Sequence, residues 1–453
     1  MKHTYFLVFA LTLFGGHSTT FAQSFEEALA SAYQHSPRLK AQQAQVRIVN
    51  ENLIAAKAAG KLNASLEGLL GGGYVDRTSA SVLGSASSSD DGTSRSAGLT
   101  LLQPLYQGGR VSSLKKQASS QILSARAELR DVEQNVLLNA ATAYIDVLRD
   151  EKIAAAQRNS VAVLSRQLIA VKTKFKLGEG TKTDVSQSET RLEESKIGLA
   201  RAGANLNSSK AAFVREMGYQ PEELSTPKEI SLPAKTSNLT QSARNYSPRL
   251  EASRYLEEAA QSSIGVAKSA LKPTLGLNGQ LISGEDDFSN FSRATSAQIT
   301  AQLRIPLLTG GLRQSRVRAA KEVRQQRRFE TRDLEYSVDQ TVANLRGQLE
   351  ASKDILISSR KQVGFAQSAF EGVKTEFGVG TRTALDVLNA EQELLDAEIS
   401  VARAEHDTLL YTYQLLTTIG KFDARSLQLP VVQYDPGLDA PKLASVASPT
   451  ENN

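Results

Sequence analysis

The side chains best placed to do chemistry are two aspartates that occupy the same position in two copies of one motif. The motif Phe-x-x-Gly-x-x-Thr-x-x-Asp-Val covers residues 175–185 and recurs, 202 residues later, at 377–387. A carboxylate at this place can stabilise the N-terminus of a following helix through the helix dipole. Asp184 and Asp386 are therefore candidates for stabilising the helices that follow the two turns.

Other chemically active side chains are scarce. The chain has no cysteine, which excludes disulfides, thiolate zinc sites and cysteine nucleophiles. Beyond the N-terminal segment it has two histidines, His35 and His406, which lie far apart and lack a His partner at metal-ligand spacing. No nucleophile-base pair or phosphate loop is present. Its 53 Lys and Arg residues are interleaved with 48 Asp and Glu. We therefore expect that the protein is not an enzyme and that it binds no metal, cofactor or nucleic acid.

The N-terminus is typical of a secretory signal peptide, which we assign to residues 1–22. Lys2 gives the positive start, residues 5–14 the apolar stretch, and residues 20–22 a cleavage site with small residues at both ends. The apolar stretch is too short to cross a bilayer as a helix, and no later segment approaches about 20 apolar residues. We expect an exported protein without a transmembrane helix.

An internal duplication predicts the domain organisation. Ser-Pro-Arg-Leu at 36–39 recurs at 247–250, and the Pro-Leu and Gly-Gly pairs within 104–109 recur within 306–311. The copies differ mainly in the Ser- and Gly-rich run 78–96, a composition typical of a surface loop. We therefore predict a first repeat at 23–220, an equatorial linker at 221–240, a second repeat at 241–420, and an equatorial segment with a flexible tail at 421–453.

Each repeat contains two runs in which apolar and polar residues alternate. The predicted strands cover about 62–74, 95–105, 273–283 and 295–307. Runs of about ten residues suit a tilted membrane-spanning strand with one lipid face and one wet face. A half-buried hairpin of a soluble protein would show the same alternation.

Two long helices without internal proline follow the strands, at about 110–177 and 312–377. At 1.5 Å per residue each is about 100 Å long. Their apolar residues recur every 3.5 residues, which is the coiled-coil period. A glycine follows each helix, as helix C-terminal caps commonly do, and return helices are predicted at about 182–218 and 383–420. Each repeat should therefore form an antiparallel coiled-coil hairpin.

Four strands are too few to close a membrane barrel. Barrels of one chain start at about eight strands, and an open edge in lipid leaves backbone groups unpaired at several kcal/mol each. Several copies of the chain must therefore contribute strands to one barrel, and the apolar seams of the helices must meet neighbours as well.

With these features the chain resembles the TolC family of outer-membrane efflux proteins. The resemblance rests on the duplicated Pro-Arg-Leu start, the two Gly-Gly junctions between strand and helix, and the two Phe-x-x-Gly-x-x-Thr-x-x-Asp-Val turns. It implies an α+β membrane protein, a homotrimer with a shared 12-strand transmembrane β-barrel and a coiled-coil α-barrel that extends into the periplasm. It further implies an outer-membrane duct for multidrug efflux or type I secretion, with three kinds of partner: a periplasmic adaptor (membrane fusion) protein, an inner-membrane transporter of RND or ABC type, and outer-membrane lipid.

The resemblance also implies a gate at the two turns. Asp386 would form the ring of the pore constriction, with Asn389 where the family often has a second Asp. Arg382 would form a latch toward Thr183 and Asp184. Phe377 stands where the family has a latch tyrosine, so we expect a weaker latch. The turn residues implied in adaptor docking are Gly178, Thr181, Gly380 and Thr383.

A second reading of the sequence is a soluble periplasmic coiled-coil adaptor or scaffold. Such a protein needs the long helices but no amphipathic membrane strands. Solubility without detergent would favour it.

Overall fold

The computed structural model describes residues 24–82, 84–228, 236–286 and 292–437. The predicted signal peptide and the end of the predicted tail lie outside these residues. The first repeat contains α1 (Phe25–His35), α2 (Pro37–Ala58), β1 (Asn63–Ser81), β2 (Gly84–Tyr106), α3 (Arg110–Lys176) and α4 (Lys182–Met217). The second contains α5 (Thr236–Tyr246), α6 (Pro248–Ser269), β3 (Thr274–Asp286), β4 (Ser292–Arg304), α7 (Leu312–Gly378) and α8 (Ala384–Thr418).

The duplicated Ser-Pro dipeptides start the second helix of each repeat. Pro37 and Pro248 are the first residues of α2 and α6, where a missing N–H costs no hydrogen bond. The hydroxyl of Ser36 accepts a hydrogen bond from the backbone N–H of Leu39 at 3.3 Å. Because α5 begins at Thr236, the second repeat starts before residue 241, and the predicted linker is shorter than 221–240.

The four strands that the described residues form make one antiparallel sheet in the order β1-β2-β3-β4. Its register places apolar residues opposite one another on one face and polar residues on the other. One apolar row runs across the strands through Leu66, Leu99, Leu281 and Ala297. The adjacent polar row runs through Ser65, Thr100, Gln280 and Gln298. The sheet therefore has one apolar and one polar face, as the alternation predicted.

The first hairpin is longer than the sequence suggested. β1 and β2 pair continuously from Asn63 opposite Leu102 to Ser81 opposite Gly84, so the predicted strand ends at 74 and 95 were wrong. The Ser- and Gly-rich run 78–96 was expected to be a loop, but most of it belongs to the strands. A paired strand gains its ladder hydrogen bonds whatever its side chains are, so composition is a weak guide to strand ends.

The predicted 3.5-residue seam is the buried stripe of the long helices. On α7, Val338, Val342 and Leu349 are buried, and so are Ser352 and Ser359, two polar residues that continue the same spacing. On α3, the seam residues Val136, Ala140, Val147, Ala154 and Val171 are buried. The period read from the sequence therefore identifies the packed face of both helices, which supports the coiled-coil interpretation.

The described residues divide into two compact units. The turn unit comprises 24–35, 139–228 and 352–410, and the sheet unit comprises 36–138, 236–351 and 411–437, less the residues outside the description. Both helix turns that carry the duplicated motif belong to the turn unit. Among the described helices, none combines the length and the apolar character that a membrane span requires.

Candidate functional site

The first turn of the duplicated motif joins α3 to α4. Gly178 has a φ of +81°, a conformation that glycine adopts without steric cost. Thr181 is the N-cap of α4, and its hydroxyl accepts a hydrogen bond from the N–H of Asp184 at 3.1 Å. Oδ2 of Asp184 accepts hydrogen bonds from the N–H of Thr181 at 2.9 Å and from its hydroxyl at 2.7 Å. This reciprocal pair is a capping box, which satisfies two free donors at the helix start.

The second turn repeats this geometry between α7 and α8. Gly380 has a φ of +85°. Oδ2 of Asp386 accepts hydrogen bonds from the N–H of Thr383 at 2.9 Å and from its hydroxyl at 2.8 Å. The hydroxyl of Thr383 in turn accepts one from the N–H of Asp386 at 3.2 Å. The motif therefore dictates the same local structure in both repeats.

Both motif aspartates are held in the charged form. The hydrogen bonds from the backbone and hydroxyl of Thr181 lower the pKa of Asp184, and those of Thr383 lower the pKa of Asp386. The charge of Arg382 lowers the pKa of Asp386 further. Each carboxylate thus stabilises the start of its own helix. Oδ1 of Asp386 accepts no hydrogen bond from any described residue, so this oxygen remains available to a cation.

Arg382 pairs within its own turn. Its Nε lies 2.8 Å from Oε2 of Glu376, on the last turn of α7, and both side chains are about half exposed. This hydrogen bond raises the pKa of Arg382. The family resemblance suggested Thr183 and Asp184 as its partners, but within one chain neither of these residues bonds Arg382. Within one chain, therefore, the partner of Arg382 is Glu376.

Phe377 belongs to a hydrophobic core and not to the surface of the turn. It is 9% exposed and shares a cluster with Val171 of α3 and Phe370 of α7. Its counterpart in the first repeat, Phe175, is 45% exposed. Two equivalent phenylalanines therefore have different roles, because only the second one is covered by the neighbouring hairpin.

Lys174 connects the two turns, and the sequence analysis missed it. Its Nζ donates a hydrogen bond to the backbone oxygen of Phe377 at 2.7 Å and lies 4.0 Å from the centre of the phenylalanine ring. A cation over an aromatic face is attracted by the ring quadrupole. The sequence held no signal for this contact, because Lys174 and Phe377 belong to different repeats and do not occupy equivalent positions.

Asn389 is exposed on α8. It follows Asp386 by three residues, so the two side chains lie on the same side of the helix. Close by, Val379 and Leu385 are 76% and 41% exposed, and Leu177 of the first turn is 69% exposed. The turns thus combine charged groups with uncovered apolar side chains.

A buried polar cluster lies elsewhere in the turn unit, around His406 of α8, which the sequence analysis treated as an ordinary helix residue. His406 is 8% exposed. Its Nε2 lies 2.9 Å from Oδ1 of Asp146, and its Nδ1 lies 2.9 Å from Oδ1 of Asp407. Arg149 forms ion pairs with Asp146 and with Asp150 at 2.7 and 2.8 Å. Across the described residues, no group of three metal-binding side chains is arranged to hold an ion.

This cluster predicts a pH dependence of stability. Burial lowers the pKa of His406, but hydrogen bonds to Asp146 and Asp407 outweigh burial and the charge of Arg149, so the pKa is raised. A raised pKa adds stability that is complete below about pH 6.5 and is lost as the pH rises through the folded-state pKa. The midpoint of thermal unfolding should fall by about 2 °C between pH 6 and pH 8.

Replacing the imidazole tests this pH dependence. His406→Gln should flatten the profile between pH 6 and pH 8, whereas the matched change His35→Gln, at an exposed position, should leave it intact. Equal slopes for the wild type and His406→Gln would show that the cluster does not titrate in this range.

Comparisons with known proteins agree with this architecture. The family model described as outer membrane efflux protein matches residues 28–218 and again 239–421. The outer membrane efflux protein BepC of Brucella suis is 32% identical over 96% of both chains. The outer membrane protein TolC of Vibrio cholerae is 28% identical over 72% of this chain and 76% of its own length.

Solved structures share the fold. The outer membrane channel CmeC of Campylobacter jejuni superposes with a TM-score of 0.75 at 14% identity, covering 87% of this chain and 85% of that one. The outer membrane protein VceC of Vibrio cholerae gives a TM-score of 0.72 at 18% identity and covers 87% and 96% of the two chains. At these identities the match concerns the fold alone.

Proposed function

This chain belongs to the outer membrane efflux protein family, and we propose that three copies of it form one continuous duct with a gate at the paired helix turns. The protein is an efflux or secretion channel of the outer membrane that extends into the periplasm, and it is not an enzyme. The comparisons thereby confirm the predicted family, the predicted transport function, and the fold of two repeats with long coiled-coil helices and four antiparallel strands. The trimer, the gate and the partners are the proposed part.

The two free edges of the sheet are the main observation that supports the proposed trimer. In the order β1-β2-β3-β4, the outer sides of β1 and β4 are edges, and a free edge in lipid leaves backbone groups unpaired. The apolar face of the sheet is uncovered too: Leu66, Leu70 and Ile299 are 78%, 82% and 83% exposed. Three chains would close a barrel of twelve strands, with β1 of each chain beside β4 of the next.

The gate proposal assigns roles to the residues of the second turn. Asp386, with Asn389 on the same side of α8, forms the constriction where three chains converge. Arg382, held by Glu376 in its own hairpin, latches toward the first turn of a neighbour, at Thr183 and Asp184. Phe377 supports the turn from inside its hydrophobic core. The latch therefore acts between chains, and Glu376 positions it within one chain.

The two turns are also the proposed docking surface. Gly178 and Gly380 let the backbone reverse sharply, and the capping boxes of Thr181 and Thr383 keep both reversals rigid. The exposed Leu177, Val379 and Leu385 give a partner apolar surface to cover. We assign this surface to a periplasmic adaptor, which opens the duct together with an inner-membrane transporter of RND or ABC type.

Cysteine crosslinking tests the assembly, and the natural chain offers a background free of cysteine. Pairs such as Glu67→Cys with Gln298→Cys, on the two edge strands, should give covalent dimers and trimers in isolated outer membranes. The control pair Thr100→Cys with Gln280→Cys joins directly opposed residues inside one sheet and should stay at the monomer position. A water-soluble chain without crosslinked oligomers would instead favour a periplasmic adaptor or scaffold.

A further inference from the structure

A cavity lies at the end of the sheet where the strands meet the helices. It is bordered by the end of β2, the start of α3, the start of β3 and the end of β4. The residues that line it include Arg110, at the start of α3, and four residues of the polar face, Thr274, Asn278, Gln302 and Arg304. Arg304 is opposite Thr274 in the register, which places its side chain on the polar face.

The junction around this cavity is built from fixed contacts. The side-chain amide of Gln107 donates to the backbone oxygen of Ala59 at 3.2 Å, and that of Gln103 donates to the oxygen of Gly60 at 3.3 Å. Gly108 approaches the backbone of Ser269 so closely that a Cβ would lie 2.7 Å from its oxygen. The ends of α2 and α6 are therefore tied to the end of β2, and the cavity has a defined wall.

Two guanidinium groups in this cavity have no counterion. Within the described part of the chain, neither Arg110 nor Arg304 forms an ion pair or a side-chain hydrogen bond. The sequence around them contains no acidic residue at 52–66, 92–127, 259–284 or 292–321. In a chain with 53 basic and 48 acidic residues, such long acid-free segments converging on one junction leave it strongly positive.

The nearest acidic residue on the polar face of the strands does not neutralise this charge. Glu67 lies opposite Gly98, four residues along the strand from Leu102, which borders the cavity. At about 3.3 Å per residue, Glu67 is therefore about 13 Å from the border of the cavity along the strand direction. This distance is longer than the screening length of about 8 Å in physiological salt. Glu285, farther along β3, lies on the other face of the sheet and pairs with Arg95 at 2.7 Å.

We propose that Arg110 and Arg304 form an anion-binding site in the lumen of the barrel, at its helix end. The site takes carboxylate, phosphate or sulfonate groups of passing cargo, with the side chains of Thr274, Asn278 and Gln302 as neutral hydrogen-bonding partners. Guanidinium groups suit this task because their planar donors match the oxygens of such anions. The inference rests on the proposed function, because the polar face lines a lumen only in a closed barrel.

In a trimer the site becomes a ring of guanidinium groups contributed by all three chains. A ring of basic side chains favours anions in a pore. In the proposed duct, an anionic cargo would meet this attractive site at the helix end of the barrel. The proposal therefore names anionic molecules as a substrate class of this duct.

Planar bilayer recordings on the full-length channel test the site, with inorganic pyrophosphate as the probe. Added from the barrel side, pyrophosphate should reduce the conductance of the wild type. The double variant Arg110→Glu/Arg304→Glu should need about tenfold more pyrophosphate for the same reduction, because the site changes from attraction to repulsion. The milder Arg110→Gln/Arg304→Gln should shift the concentration in the same direction and to a smaller extent.

Two controls separate charge from damage. Arg110→Lys/Arg304→Lys keeps the charge and should retain most of the pyrophosphate effect. Arg95→Glu makes an arginine-to-glutamate change at a single position on the opposite face of the sheet, in β2, and should leave the effect unchanged. Equal sensitivity of the wild type, the double glutamate variant and the double glutamine variant would overturn the anion site while leaving the channel itself intact. A wild-type protein that forms no channel would instead contradict the proposed function.

Discussion

Asp386→Asn is expected to relieve block of the channel by multivalent cations. Three carboxylates in a narrow pore attract such ions, and the free Oδ1 of Asp386 is the oxygen that would meet them. Asparagine keeps an oxygen that can accept the hydrogen bonds of Thr383, so the turn is retained and the charge alone is lost. With hexaamminecobalt(III) as the blocker in planar bilayers, we expect an inhibitory concentration about tenfold higher than for the wild type.

The first repeat supplies the matched control for this experiment. Asp184→Asn makes the same change in the same capping box, outside the proposed ring, and should shift the block much less. If both variants, or neither of them, changed the block, Asp386 would be a helix-capping residue and the constriction would have to lie elsewhere.

Arg382→Glu is expected to raise the conductance of the closed channel about fivefold. The substitution removes the contact with Glu376 and turns the proposed attraction toward Asp184 of a neighbour into repulsion. Exposed ion pairs contribute little by themselves, so loss of the local pair alone should have a small effect. The measurement is the mean conductance at low voltage without partners.

A charge-swap variant distinguishes whether closure depends on the local pair of Arg382 with Glu376 or on its proposed contact with a neighbouring chain. Arg382→Glu combined with Glu376→Arg restores the ion pair inside the hairpin but leaves a negative charge at position 382. If the latch acts between chains, the swapped channel stays leaky. Recovery of normal closure in the swapped channel would assign the effect to the local pair and remove the latch.

The parts of the structure that the sequence predicted are those set by local or periodic rules. The turn motif predicted the two turns because a capping box needs only the Thr and Asp three residues apart. The 3.5-residue period predicted the buried stripe of α3 and α7 because helix geometry converts spacing into a face. The alternation predicted the two faces of the sheet because successive side chains of a strand point to opposite faces.

The parts that the sequence did not predict depend on which elements become neighbours. Nothing near Phe377 in the chain shows that Lys174 of the other hairpin will lie over its ring. The partner of Arg382 is Glu376, which lies six residues earlier on the last turn of α7. The family resemblance pointed to Thr183 and Asp184 instead. The length of the first hairpin depended on strand pairing, which overrode a composition typical of loops.

The charge difference between the two hairpin turns affects the orientation in which a partner would bind the proposed trimer. Lys174 and Gly180 of one hairpin correspond to Glu376 and Arg382 of the other. Around a closed ring of three chains, six hairpin tips would therefore alternate between two electrostatic patterns, and the rotational symmetry is three-fold instead of six-fold. A ring-shaped partner rotated by one tip would face the wrong pattern everywhere at once. In the proposed trimer, this alternation would fix the angle at which such a partner joins the channel.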